Sequence, residues 1–139
     1  MVLKLLTAGL LLFAHAYSYA ECEYGDVFIE EYGVCFSFEF KDGPNINQRG
    51  NREFSHGVAT LYPSDKISLQ KDPHFYLWMK MPAHEHGAGP VSVEQIDEGR
   101  YKINKMLLRE MPGQWFLRVI LDSELSEFSG EIAITEWMD

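Results

Sequence analysis

The chain has 139 residues, 46% of them hydrophobic and 24% charged, which suits one domain with a real core and argues against two. Its 21 acidic and 12 basic side chains leave a formal net charge of −9, with no basic stripe to offset it, so a phosphate backbone is a poor partner and nucleic acid is not expected. The acidity favours solubility, and it attracts cations only in a general way.

Met1–Ala20 carries one positive charge at Lys4, an apolar run from Leu5 through Ala14 and a small-x-small ending at Ser18-Tyr19-Ala20. This is the pattern of a secretory signal peptide, with cleavage expected after Ala20 and a single mature domain over residues 21–139. The apolar run is too short to cross a bilayer, and no later segment has the roughly 20 apolar residues that a membrane helix requires. The mature chain is therefore expected to be soluble, in the periplasm or secreted. Glu21 occupies the position before Cys22 where lipobox sequences carry a small residue, which argues against a lipid anchor. In an oxidising compartment the pair Cys22 and Cys35 is expected to close a disulfide. By the chain-entropy estimate, a loop of about 14 residues contributes roughly 3 kcal/mol. A thiolate metal site or a redox pair is the other reading, although the spacing is not Cys-x-x-Cys.

Period-two alternation broken by turn residues dominates the mature chain. Asp26 to Tyr32 opens the series of strands. Val34, Phe36, Phe38 and Phe40 then alternate with Cys35, Ser37, Glu39 and Lys41, placing an aromatic row on one face. Turn chemistry follows at Lys41-Asp42-Gly43-Pro44-Asn45, and residues 43–53 form the longest polar insertion. Strands are predicted over Phe54 to Tyr62, His74 to Met81, Val91 to Ile96 and Gly99 to Leu108, with a turn at Asp97-Glu98-Gly99. Trp115, Leu117, Val119 and Leu121 alternate with Gln114, Phe116, Arg118 and Ile120 in the second strong core strand. Asp122 to Leu125 reads as one capped helical turn, and Gly130 to Trp137 as the last strand. Seven to eight short strands in one small domain predict an all-β, immunoglobulin-like sandwich.

Chemistry concentrates in Met79-Lys80-Met81-Pro82-Ala83-His84-Glu85-His86-Gly87-Ala88-Gly89-Pro90. Alternation puts Phe75, Leu77, Met79 and Met81 on one strand face, Pro82 stops the ladder, and the Gly/Pro-rich segment reads as a surface loop able to fold back with His84 and His86. Two thioethers and two imidazoles form a copper-type donor set, with Cu(I) preferred because thioethers select it over zinc. The competing reading makes Met79 and Met81 core filler and the histidines solvated loop residues. Met111, before the Pro112-Gly113 turn, is a further candidate ligand; Met106 and Met111 otherwise pack the core. His56 and His74 stand alone in strand patterns, and Glu85 is a candidate to orient a neighbouring imidazole.

Met79-x-Met81-Pro82-x-His84-x-His86, then Gly99-x-Tyr101, then Met111-Pro112-Gly113-x-Trp115-x-Leu117-x-Val119 occur in an order that resembles the YtkA-like domain, related to the FixH proteins, over roughly residues 55–122. The resemblance implies a small exported or membrane-anchored bacterial domain with an immunoglobulin-like fold, associated with copper handling or oxidase assembly. Its Gly-x-Tyr and Pro-Gly-x-Trp elements are architectural.

No serine elbow, Cys/His constellation or metal triad with a placed base is present, so the chain is not expected to be an enzyme. Two readings follow. One is an exported copper-binding domain for handling or delivery to an envelope copper-accepting or oxidase-assembly protein, through Met79, Met81, His84, His86 and Met111. The other is a metal-free immunoglobulin-like interaction or assembly module that meets an envelope protein through the Gly/Pro loop, Tyr76 and Trp78.

Overall fold

The computed structural model describes residues 22–66, 72–122, 124 and 127–139. The expected signal peptide lies outside the described residues, as does most of the helical turn expected after Asp122. The described residues are nearly all β, apart from one short 3-10 turn at Ser64–Lys66, and every strand expected from the alternation is present among them. These are β1 (Val27–Ile29), β2 (Val34–Asp42), β4 (Ser55–Tyr62), β5 (His74–Lys80), β7 (Ser92–Asp97), β8 (Arg100–Met106), β10 (Gln114–Ile120) and β11 (Gly130–Ala133). The expected count of seven to eight is too low, because three short strands join them: β3 (Ile46–Asn47), β6 (Glu85–Gly87) and β9 (Leu108–Arg109). Strands of two or three residues are too short to show a period, so alternation does not reveal them.

One antiparallel sheet has the order β1-β2-β4-β8-β7 and the other β11-β10-β5-β6, while β3 pairs with β9 in parallel. The sheets meet through the side chains that the alternation points inward. Val34, Phe36, Ala59, Leu61, Tyr101 and Ile103 of the first sheet are buried against Phe75, Leu77, Met79, Trp115, Leu117 and Val119 of the second. Phe75 joins the layers, its ring centroid 6.2 Å from that of Phe36 and 5.3 Å from that of Tyr101. Burial raises the Tyr101 phenol above its ordinary pKa, with a smaller contribution from the charge on Asp72.

Cys22 and Cys35 form the expected disulfide, with Cα atoms 5.5 Å apart. The bond ties the segment before β1 to β2 at Cys35, which is buried although it points away from the aromatic row. Within the 43–53 insertion, the buried Asn47 amide donates to the Asn45 and Glu53 carbonyls, organising a turn too polar to hold itself by packing. No helix among the described residues is long and apolar enough to cross a membrane.

Candidate functional site

The Met/His segment is a β-hairpin rather than the expected surface loop. Met79 pairs with His86 and Lys80 with Glu85, and the Met81 amide donates to the His84 carbonyl at 2.9 Å, leaving Pro82-Ala83 as the turn. Pro82 ends β5, as the sequence implied, but the chain reverses at once and makes β6. Residues opposite one another in an antiparallel pair share a face, and so do alternate residues along a strand. The donors therefore form two cross-strand pairs on one face of the ribbon, Met79 with His86 and Met81 with His84. Glu85 alternates to the other face and is exposed, so it does not orient either imidazole.

Burial is graded along this face from the core to the tip. Met79 is 0% exposed, Met81 and His86 are half-buried, and His84 is exposed. The two imidazole rings stack with centroids 5.8 Å apart and planes at 28°. His86 Nδ1 lies 3.0 Å from the Gly87 carbonyl, which can only accept, so the contact is a hydrogen bond when Nδ1 carries a proton, and Nε2 is the ring nitrogen it leaves uncommitted.

Met111 is half-buried and borders the same open groove as His86, whose lining also includes Trp115. The Trp115 indole donates to the Arg109 carbonyl at 3.0 Å, tying two lining residues of the groove wall together. Gly113 brings this wall close to the hairpin: its φ is +141°, and a Cβ there would meet the Lys80 carbonyl oxygen and the Met79 Cε. Met106 is fully buried in the core. His74 lies at the far end of β5, stacked on Tyr76, and His56 sits on β4 near Asp42, so neither joins the hairpin face.

No group of three or more His, Cys, Asp or Glu side chains able to share an ion occurs among the described residues. Met81, His84 and His86 are the sulfur and nitrogen donors that the described hairpin brings to this face. That composition fits a soft ion and does not fit the usual zinc sets.

The outward face of the same sheet carries a network that alternation alone does not reveal. Arg118 is almost fully buried between the rings of Trp78 and Phe128, at 4.2 and 3.8 Å, and its Nε donates to Glu131 at 2.9 Å. Lys80 lies over Phe116 and pairs with the same Glu131 carboxylate. Read from the pattern, Arg118 is an outward, solvated residue; its partner stands directly opposite on β11, a register that the sequence does not disclose. Trp78 is accordingly half-buried under Arg118 instead of presenting an open ring.

No protein-family model matches this chain, and no curated protein matches its sequence. Fold and site together define a small all-β sandwich with a Met/His ribbon at one end.

Proposed function

We propose that this protein binds Cu(I) in an exported compartment, for handling or delivery, through the face of the β5–β6 hairpin. The observation that carries the reading is the pairing of Met81 with His84 and of Met79 with His86, which brings thioether and imidazole donors to one face of a short ribbon. Met81, His84 and His86 are the ligands, and Met111, which borders the same groove as His86, is a further candidate. Met79, with no exposed surface, serves as the packed floor that holds the ribbon in place. The exposure of His84 leaves the ion accessible to an accepting protein. The disulfide and the resemblance to the YtkA-like domain support the exported, copper-handling setting.

Titration of the purified protein with Cu(I) against a chromogenic chelator tests the reading. The expected result is one Cu(I) per chain, with affinity reduced at least about 100-fold by His84→Ala/His86→Ala and unchanged by Met79→Leu. Equal affinity in the wild type and the double histidine variant removes the hairpin from the proposal.

The interaction-module reading has one observation in its favour. Edge strand β7 is exposed at every residue and carries Val93 and Ile96 on its surface, whereas Trp78 is covered by Arg118. A module of that kind would bind its partner equally well after the histidine substitutions.

A further inference from the structure

The groove that His86 and Met111 border has a second set of walls that metal binding leaves unused. It encloses about 430 Å³, within the range of small-molecule sites. Phe54, Leu107 and Trp115 make it apolar, the segment 87–90 closes one side, and Lys105 and Arg109 flank it. Neither cation has a carboxylate within salt-bridge distance among the described residues, as is also true of Arg49, Arg52, Lys66 and Lys102, whereas Lys41, Lys80, Arg100 and Arg118 are paired. What sets Lys105 and Arg109 apart is that both line one apolar groove in a chain of net charge −9.

The backbone is bent to produce it. Buried positions in β8 run Tyr101, Ile103 and then Met106, because a bulge places Asn104 and Lys105 opposite His56 alone. Lys105 adopts φ +57°, the left-handed region that a lysine seldom enters. After this slip the even positions Met106 and Leu108 face the core, so Lys105, Leu107 and Arg109 together line the groove. Bulges of this kind re-aim side chains beside functional sites.

We infer that this groove binds a small organic anion, a carboxylate or sulfonate with an aromatic or compact aliphatic body. The body packs against Phe54, Leu107 and Trp115, and the charge lies by Lys105 and Arg109. The inference does not rest on the Cu(I) proposal, since neither cation is among the metal donors, although His86 and Met111 border the same groove.

The test titrates the metal-free full chain with 8-anilinonaphthalene-1-sulfonate and with N-phenyl-1-naphthylamine, which has the same rings without the charge. One saturable site is expected, at least about 10-fold tighter for the sulfonate and weakened by salt. Lys105→Gln/Arg109→Gln is expected to lower sulfonate affinity by at least about 10-fold while the neutral probe binds as before. Lys41→Gln/Lys102→Gln, which removes the same charge at residues outside the groove lining, leaves both affinities unchanged. Equal binding of the two probes, no saturable site, or wild-type sulfonate affinity in the Lys105/Arg109 variant overturns the inference.

Discussion

Met79 and His86 face one another across the hairpin, yet their surroundings assign them different work. Met79 packs on Trp115's side of the core with no exposed surface, while His86 keeps an edge toward the groove. A thioether that has no access to solvent contributes through packing, so Met79→Ala is expected to destabilise the fold by about 2–4 kcal/mol through the cavity it leaves, while Met79→Leu stays within about 1.5 kcal/mol of the wild type. Denaturant unfolding of the two variants measures the difference; equal, small losses would show that the site collapses without cost or that Met79 is not a core residue in solution. The sequence identifies Met79, Met81, His84 and His86 as a group because residue type and spacing are local properties. Which methionine is buried depends on the Trp115 wall more than 30 positions along the chain, and no local pattern carries that information.

The β5–β6 hairpin is the element on which the site depends, and Gly113 is what lets the neighbouring strand close against it. Gly113 also exchanges both backbone hydrogen bonds with Met138, at 2.8 and 2.7 Å, which anchors the C-terminal segment to the start of β10. A side chain here suffers both a φ of +141° and a collision with the Lys80 carbonyl. Gly113→Ala is therefore expected to cost at least about 2 kcal/mol, read as a fall in the unfolding midpoint, with loss of Cu(I) affinity in parallel. Retention of full stability would mean that the β5–β10 approach is looser than described. Long alternating strands such as β2 and β10 are legible in the sequence because one face of each is apolar throughout. The two-residue turn at Pro82-Ala83 is not, since its residues are neither Asn-Gly nor Gly-x and the glycines that follow suggest a loop. The bulge at Lys105 escapes for the same reason: no glycine marks its left-handed residue.

At the scale of the molecule, a sandwich of two antiparallel sheets leaves its ends as the natural place for chemistry, because the strands fix where each turn emerges. One end of this sandwich gathers the Met/His ribbon, the Met111 turn and the cationic groove, drawn from β5, β6, β8, β9 and β10. The all-β class and the disulfide are legible from alternation and cysteine count. The convergence of that end is not, since it depends on β8 and β10 lying beside a hairpin distant from them in sequence. The central claim is that this end holds Cu(I) with mixed sulfur and nitrogen ligands. X-ray absorption at the copper edge of the one-to-one Cu(I) complex tests it most directly. The account predicts a first shell containing both sulfur and nitrogen, with the sulfur contribution lowered in Met81→Leu and nitrogen lost in His84→Ala/His86→Ala. A shell without sulfur, or one that neither variant alters, contradicts it.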